Sequence, residues 1–346
     1  MKTPLHTMDD AALDRDLQQS AMLKLAGHFH SLATGKSQVP LQSLDSHLRS
    51  EINDPHVLDY HDRLIEGAGP LFSHFMASVP YILEELSRVG VALTRLAQVI
   101  TRNTGQTFNL FEVDAFDGSN GRALAGHSQG MIRSFTSSPN QANQIAFDQH
   151  AEPALSWFYP QSVFKVTPAL LQSPKYDSFS EGFDFIYEMA AFQFYTRDRD
   201  GQIAHIKQFL KPDGLVFFLE KLNHPDPKEY LRRERVKDEE FKTRYFSEEE
   251  ICWKRQQMLE QMQKGQVTLE ELVSALSAHF TCVHLLWNSS NFCEFVASNN
   301  PEQMKRFLNI LGPVVQPSSF CFEGSRLGAI VSSHNGGTEP GNVQYF

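Results

Sequence analysis

Short apolar runs alternate with stretches of helical pattern from Thr107 to about residue 220, and this alternation constrains the fold more than any other feature. The runs are Phe108–Val113, 145–147, 163–166, 183–187 and 215–219. Strands that are separated by helices pair in parallel, and the helices then cover both faces of the sheet. The pattern therefore predicts an α/β fold with a ligand site beyond the carboxyl ends of its strands.

The residues before this alternating region have a helical pattern. Between residues 71 and 86, apolar side chains recur three and four positions apart, as they do on one face of a helix. Pro80 interrupts this stretch and is expected to break or kink the helix. We predict helices over 11–32, 41–52 and 56–100.

Helical and strand patterns also follow the alternating region. Residues 225–278 are helical in pattern and rich in charge. Two apolar runs, 283–287 and 292–297, are then separated by a short connection that is typical of a hairpin at a sheet edge. A last helix is predicted over 301–311.

These patterns divide the chain into three predicted parts. Residues 1–105 form an N-terminal helical lid and substrate region, and residues 106–312 form the α/β domain, with 225–278 as a helical lid insertion. Residues 313–346 form an irregular, partly disordered tail, because this segment is rich in Ser, Gly and Pro.

The composition is that of an acidic chain with ordinary hydrophobic content. The 346 residues are 41% hydrophobic and carry a formal net charge of -10. An acidic surface argues against nonspecific nucleic-acid binding, which needs clustered cations. No apolar run approaches the ~18–20 residues of a membrane span, and the Asp-rich N-terminal residues lack the apolar core of a signal peptide. We expect a cytoplasmic protein with neither nucleic-acid nor membrane partners.

The turn after the first apolar run carries the first candidate site. Residues 112–121 read EVDAFDGSNG, and glycines such as Gly118 and Gly121 let a backbone approach a ligand closely. Asp148 ends the second run, roughly 25–30 residues later, where a carboxylate can accept both hydrogen bonds from a ribose diol. Taken separately, the turn is also compatible with an ordinary surface turn, and Asp148 with a loop residue or a helix cap.

A third feature lies in residues 183–221. The segments FDFIYEMAAFQFYTRD and IKQFLKPDGLVFFLEK resemble class I S-adenosylmethionine (SAM)-dependent methyltransferases, in which a strand beginning FD leads through a helix to LKPGG and a strand ending near an acid. The resemblance covers roughly residues 106–300. It implies a Rossmann-like, mostly parallel sheet with an antiparallel edge hairpin, SAM as the cofactor, and methyl transfer to a small-molecule or carrier-bound acceptor in biosynthesis.

The resemblance also implies the cofactor-binding residues, which are Glu112, Asp114, Gly118, Gly121, Asp148, Gln149, Ala169, Leu170, Glu188 and Met189. The family pattern is an acid, any residue and then three glycines at alternate positions. In this chain Asp114 and Phe116 stand where two glycines are expected, and about three extra residues precede Gly121. The acid that many members place near the adenine is absent from residues 167–170. These departures leave open a non-catalytic protein with a degenerate methyltransferase fold.

A narrower resemblance covers residues 241–299, which are similar to the end of the carboxy-SAM synthase branch, where a helical lid carries basic residues near the active site. A SAM enzyme that does not transfer a methyl group is therefore an alternative. Arg244, Tyr245 and Tyr195 are our candidate substrate-binding residues. Lys254 and Arg255 are further candidates for meeting a carboxylate, since Arg offers a forked pair of donors. The basic residues also fit a solvated helix face with ordinary charge pairs.

Methyl transfer is an in-line displacement, so the protein mainly aligns the acceptor and, for a poorly ionised acceptor, removes a proton. Gln193 stands where many small-molecule methyltransferases have a His, and Gln cannot act as a general base. Glu188 and Glu220, near the ends of the fourth and fifth runs, are candidate bases, and His224 is another. We take Glu188, Gln193 and Glu220 as the catalytic candidates, although each also fits a hydrogen-bonded rim residue.

Four histidines, at positions 28, 30, 56 and 61, raise the question of a metal site. Two histidines separated by one residue on a helix point their rings to different faces, so His28 and His30 have poor geometry for one ion. We expect no metal. The sequence leaves open the identity of the acceptor, the atom that is methylated and whether the protein forms a homodimer.

Overall fold

Eight strands form a single sheet in the computed structural model, which describes residues 18–328 except 38, 39, 41 and 47, and also 330–332. The strands are β1 (Phe108–Val113), β2 (Ile132–Ser137), β3 (Ser156–Tyr159), β4 (Phe183–Met189), β5 (Leu210–Lys221), β6 (Cys282–Ser289), β7 (Phe292–Ser298) and β8 (Ile330–Ser332). Their order is β3-β2-β1-β4-β5-β7-β6-β8. The first five strands run parallel, β7 is antiparallel to β5 and β6, and β8 is antiparallel to β6. The predicted α/β fold, a mostly parallel sheet with an antiparallel hairpin on one side, is confirmed.

Helices cover both faces of this sheet. Those in the described residues are α1 (Ala21–Lys24), α2 (Ala26–Ala33), α3 (Pro55–Gly67), α4 (Pro70–Ser78), α5 (Ile82–Thr104), α6 (Ser119–His127), α7 (Asn143–His150), α8 (Pro168–Leu171), α9 (Arg199–Lys207), α10 (Pro227–Glu240), α11 (Glu248–Met262), α12 (Leu269–His279) and α13 (Pro301–Ile310). None of the described helices is long and apolar enough to cross a membrane.

The central strands are buried on both faces, and their sequences are apolar for that reason. All residues of β1 and β4 are buried. On one face Phe108 stacks on Phe185, with ring centroids 5.7 Å apart, and on the other Phe111 packs on Phe183 at 5.1 Å. Strands with two covered faces read as continuous apolar runs, which is why β1 and β4 stand out in the sequence.

The predictions for the second and third strands were wrong. Residues 145–147 lie in α7, and residues 163–165 form a 3₁₀ helix, whereas the strands are β2 and β3. β2 has no apolar pattern in the sequence, because several of its buried side chains are polar and are hydrogen-bonded. Ser134 donates to Ser156 Oγ over 2.9 Å, and Thr136 donates to Glu112 over 2.9 Å. A polar side chain can be buried without large cost when it is hydrogen-bonded, so a strand need not be an apolar run.

The N-terminal helices share a core with the sheet. Pro80 lies between α4 and α5, as expected from its effect on helices, and Tyr81 beside it has a left-handed φ of 61°. α3 crosses α5 where Gly90 leaves room for Tyr60, since a Cβ there would come within 2.2 Å of the Tyr60 ring. The hydroxyl of Tyr60 then donates to Asn120 Oδ1 at the start of α6, over 2.9 Å.

The described residues of 41–52 do not form the helix that was predicted there. Only Arg49–Glu51 makes a helical turn, of the 3₁₀ type. Ser46 donates its hydroxyl to Glu84 on α5 over 2.5 Å and accepts from the Leu48 backbone N–H, so tertiary contacts satisfy this segment. The first seven residues of the helix predicted over 11–32 lie outside the described residues.

The segment after α13 is more ordered than the tail prediction implied. Ser318–Phe320 and Gly324–Arg326 form 3₁₀ helices, and Ile330–Ser332 is the edge strand β8. Phe320 is buried against Tyr81, with ring centroids 5.1 Å apart. The predicted disorder after residue 332 lies outside the described residues.

Candidate functional site

A cavity of about 1090 Å³, part of it open to solvent, lies over the carboxyl ends of four parallel strands. Its floor contains Asp114 after β1, Ser138 after β2, Ala190 after β4 and Lys221 at the end of β5. The walls come from α1, α2, α4, α10 and α11. Doubly wound sheets bind ligands at this edge, so the cavity is the candidate functional site.

The turn after β1 has a left-handed backbone at three positions, although only one of the three residues is a glycine. Asp114, Phe116 and Gly118 have φ values of 47°, 54° and 68°. Three left-handed residues thus alternate along the turn, although only Gly118 adopts that conformation without steric cost. Counting from Glu112, Gly118 fills the third of the alternate positions. The turn therefore contains no extra residues before Gly121, and the expectation of an insertion was wrong.

The carboxylate of Asp114 is held by the protein itself. Its Oδ1 accepts from Ser137 Oγ over 2.8 Å and from the Val163 backbone N–H over 2.7 Å. Its Oδ2 accepts from the Tyr195 hydroxyl over 2.5 Å. Burial raises the pKa of Asp114 to about 6, although these hydrogen bonds oppose the rise. Tyr195, predicted to bind substrate, instead lies beneath the turn and does not line the cavity.

Glu112 and Gly121 brace the turn from behind. Thr136 donates to Oε2 of Glu112 over 2.9 Å, and the backbone N–H of Gly121 and the side chain of Asn120 also donate to this carboxylate. A Cβ on Gly121 would lie 2.4 Å from the same oxygen. Burial raises the pKa of Glu112 to about 7. Neither residue lines the cavity, so both support the turn from outside it.

The remaining predicted cofactor residues before β4 lie elsewhere. Asp148 and Gln149 are exposed on α7, and Ala169 and Leu170 are on the short helix α8, away from the cavity. The assignment of Asp148 to a ribose diol rested on reading α7 as a strand, and the structure does not place this residue at the cavity.

The loop after β2 supplies polar groups that the sequence reading missed. Ser138, Asn140 and Asn143 line the cavity. Asn143 donates to Ser138 Oγ over 3.0 Å, and Nδ2 of Asn140 is buried without a hydrogen-bond partner among the described residues. Their sequence signal is the Ser-Pro-Asn turn that follows a strand rich in polar residues.

Of the catalytic candidates, only Gln193 reaches the cavity, where it lies near Met189. Its Nε2 donates to the Ala190 carbonyl over 3.0 Å, and its Oε1 accepts from Gln266 over 3.2 Å. These bonds fix the amide orientation.

Glu188 and Glu220 are buried below the cavity and do not line it. Glu188 accepts backbone N–H groups of Ala191 and Phe192, and Glu220 receives two hydrogen bonds from Arg199, over 2.7 and 3.1 Å. Burial, and then the nearby charge of Glu220, raises the pKa of Glu188 well above its usual range. Both carboxylates are thus held by internal hydrogen bonds, and the structure does not place either predicted base in the cavity lining.

Arg244 and Tyr245 were also wrongly placed at the main site. They line a separate cavity of about 310 Å³ with Tyr81 and Glu84. The basic residues of the main cavity are Lys254 and Arg255 on α11, together with Lys221, Lys237 and Lys242, which the sequence analysis did not single out.

His74 on α4 is a further residue of the cavity that the sequence reading missed. It is buried, and its Nε2 has no hydrogen-bond partner within the part of the chain that the structure describes. Burial, followed by the charges of Lys254, His28 and Lys242, lowers its pKa well below the usual range. The ring is therefore neutral at pH 7, and its free nitrogen can accept a hydrogen bond from a ligand. Among the described residues, no group of three or more His, Cys, Asp or Glu has the geometry to hold a metal ion.

Comparison with known proteins gives similarity in structure only. No protein-family model matches the chain, and no curated protein matches it in sequence. The plantazolicin methyltransferase BpumL in complex with SAH is 9% identical, with a TM-score of 0.42, over 83% of this chain and 100% of that one. The cyclopropane synthase MmaA2 from Mycobacterium tuberculosis is 15% identical, with a TM-score of 0.39, over 86% and 81% of the two chains. Human methyltransferase-like protein 13 in complex with SAH is 10% identical, with a TM-score of 0.40, over 68% and 96%.

Proposed function

We propose that this protein is a SAM-dependent methyltransferase that acts on a small-molecule or carrier-bound acceptor. One observation carries the proposal. The cavity lies over the ends of β1, β2, β4 and β5, above a turn with left-handed residues at three alternate positions. Non-glycine residues in this conformation cost about 1–3 kcal/mol each and persist where the surroundings enforce them. Retention of this backbone at Asp114 and Phe116 supports a function for the turn itself.

The residues around the cavity floor fit SAM, with substitutions for the family's usual groups. Ser138, Asn140 and Asn143 would meet the ribose. One donor would be the buried Nδ2 of Asn140, which has no hydrogen-bond partner in the described part of the chain. The backbone of the turn and Met189 would flank the methionine portion. The ribose-binding acid is thus replaced by neutral amide and hydroxyl groups, which predicts weaker binding of the diol than a carboxylate gives.

SAM supplies an electrophilic methyl group when it is bound. The contribution of the chain is to enclose the acceptor and to orient it. Phe29, Phe75 and Phe194 line the cavity, and Phe116 packs on Phe75 with ring centroids 4.8 Å apart, so aromatic side chains exclude water from this side. The carboxylates that line the cavity, Asp114 among them, are each already engaged in hydrogen bonds or ion pairs. Proton removal would therefore fall to His74, or the acceptor would bind already ionised.

A non-catalytic function is the second candidate, and a specific observation favours it. Asp114 uses both carboxylate oxygens for internal hydrogen bonds, and the Phe116 side chain occupies a position where the family has a glycine. If these side chains fill the methionine site, the cavity would bind another ligand and transfer no methyl group.

Calorimetric titration of the purified protein with SAM and with S-adenosylhomocysteine separates the two candidates. We expect one-to-one binding of both. Asn140→Ala should weaken binding by about five- to twentyfold, because a hydrogen bond is worth about 1–2 kcal/mol when its loss leaves a polar group unpaired. Asp148→Ala is the matched control on the exposed face of α7 and should bind as the unmodified chain does. Flat titrations of a folded sample would overturn the methyltransferase proposal.

A further inference from the structure

One end of the cavity concentrates positive charge. Glu234 on α10 accepts from Lys221 over 2.9 Å and from Lys237 over 2.6 Å. The two lysines line the cavity and share this carboxylate oxygen, Oε2. Two cations thus face one carboxylate, and the pair of lysines keeps one unit of positive charge in excess.

The next acid on the same helix repeats the arrangement. Asp238 pairs with Lys242 over 3.0 Å and with Arg255 over 2.8 Å, and all three line the cavity. Glu234 and Asp238 are four residues apart, so they lie on one face of α10. This face presents a second excess positive charge to the same space.

Lys254 adds a charge that no carboxylate offsets directly. Its side chain is 6% exposed, and its Nζ has no hydrogen-bond partner among the described residues. The nitrogen lies 3.3 Å from the centroid of the Phe246 ring. Burial and then the charge of Lys242 lower the pKa of Lys254 to about 7, while Glu250 and Asp238 oppose this shift. A buried ammonium without a hydrogen-bonded partner is costly, so its retention here indicates a ligand.

Another part of the cavity lining is apolar and is formed by Phe29, Leu71, Phe75, Phe194 and Met262. Five cations and three carboxylates line the cavity when Asp114 is included, which is an excess of two positive charges in a chain whose net charge is -10. A ligand that matches both the charged and the apolar parts of the lining has an apolar body and an anionic group.

We propose that Lys254, with Lys242 and Lys237 beside it, binds the anionic end of the acceptor, and that the acceptor is an amphiphilic organic acid with a carboxylate or phosphate group. The word acceptor rests on the proposed methyltransferase function, whereas the anion site itself does not require SAM. The apolar walls hold the body of this acid, and the lysines fix its orientation toward the strand ends.

The test is calorimetric titration of the full chain, without SAM, with three probes of equal chain length: decanoate, decyl phosphate and 1-decanol. We expect at least one acid to bind tenfold or more tightly than the alcohol, and the better acid identifies the anionic group. Equal binding of the acids and the alcohol, or no binding of any acid, would overturn the proposal. Because SAM is absent, this result is independent of whether the protein binds the cofactor.

Variants then assign the selectivity to Lys254. Lys254→Met keeps the length of the side chain and should reduce the acid-over-alcohol ratio at least tenfold, whereas Lys254→Arg should retain most of it. Lys228→Met is the matched control, because Lys228 is exposed on α10 and does not line the cavity. An unchanged ratio in Lys254→Met would show that the residue does not contact the acid and would overturn its assignment. If a variant fails to fold, the three-probe comparison on the unmodified chain still decides the proposal.

Discussion

The hydroxyl of Tyr195 donates a 2.5 Å hydrogen bond to Oδ2 of Asp114, and both residues are buried. Tyr195 follows β4, whereas Asp114 begins the turn after β1, so this bond joins the two chain segments that border the candidate cofactor site. A left-handed aspartate is costly by itself, and its carboxylate needs donors from several elements to stay in place.

We expect Tyr195→Phe to destabilise the protein by about 1–3 kcal/mol, because one oxygen of a buried carboxylate loses its short donor. The free energy of unfolding in urea at pH 8 measures the effect. Tyr159→Phe is the control, since its hydroxyl makes a 3.3 Å bond to the Lys165 carbonyl in a partly exposed position. Equal losses in the two variants would contradict a special role for the bond to Asp114.

Glu112 predicts a specific pH dependence of stability. Burial raises its pKa from 4.5 to about 7 in the folded protein. Between these two values the folded state holds a proton that the unfolded state has lost, so stability falls as the pH rises from about 4.5 to 7. Glu112→Gln removes this titration. The free energy of unfolding of the variant, minus that of the unmodified chain, should increase by about 2 kcal/mol between pH 5 and pH 7.5. Urea denaturation of both proteins at both pH values measures this change. If the difference in free energy of unfolding is the same at the two pH values, the pKa of Glu112 is not raised.

The ion pair of Arg199 and Glu220 should be structural. Both side chains are buried and make two hydrogen bonds to each other. Removing one partner from a buried pair leaves an uncompensated charge and costs about 3–5 kcal/mol, so Arg199→Met should lose that much stability. The double variant Arg199→Met/Glu220→Leu should recover most of the loss. Arg63→Met breaks an exposed pair with Asp59 and should cost less than about 1 kcal/mol. A double variant no more stable than Arg199→Met would contradict this account.

The sequence predicts most of the sheet but only part of the site. Buried strands are recognised by their apolar residues, whereas the positions of polar residues depend on tertiary contacts. β1, β4, β5 and the hairpin of β6 and β7 are apolar because helices or neighbouring strands cover them. β2 carries buried polar residues, and only tertiary hydrogen bonds explain their burial. β3 is only four residues long, and Phe158 is its one buried residue. Reading α7 as the second strand then placed the ribose candidate at Asp148, which lies on a helix.

The charged end of the cavity could not be read from the sequence for a related reason. Lys221 ends β5, whereas Lys254 lies on α11, more than 30 residues further along the chain. Their common position depends on how α10 and α11 fold over the strand ends. The resemblance to a basic lid pointed to this part of the chain. It could not decide that Lys254 enters the main cavity while Arg244 enters a separate one, because side-chain direction depends on the packing of both helices.

Lys254 should also lower the stability of the protein in the absence of a ligand. Its pKa falls from 10.5 to about 7 on folding, so protonation disfavours the folded state, and stability rises as the pH increases from about 7 to 10.5. Lys254→Met should therefore be more stable than the unmodified chain by about 1–3 kcal/mol at pH 7, with a smaller advantage at pH 9. Thermal unfolding at the two pH values tests it. A less stable variant at pH 7 would mean that the lysine charge is compensated without a ligand.

Two glycines of α6 should respond in opposite ways to the same substitution. A Cβ on Gly121 would lie 2.4 Å from Glu112 Oε2 and 2.9 Å from Ser134 Cβ, so Gly121→Ala must displace a buried carboxylate or a strand and should cost about 1–3 kcal/mol. At Gly126 the nearest atom is the flexible carboxylate of Glu152, 3.3 Å away. Gly126→Ala should stabilise the helix by about 0.5–1 kcal/mol, because alanine has the higher helix propensity. Urea unfolding of the two variants measures the contrast. Similar effects at both positions would mean that α6 does not approach β1 as closely as the contact between Gly121 and Glu112 requires.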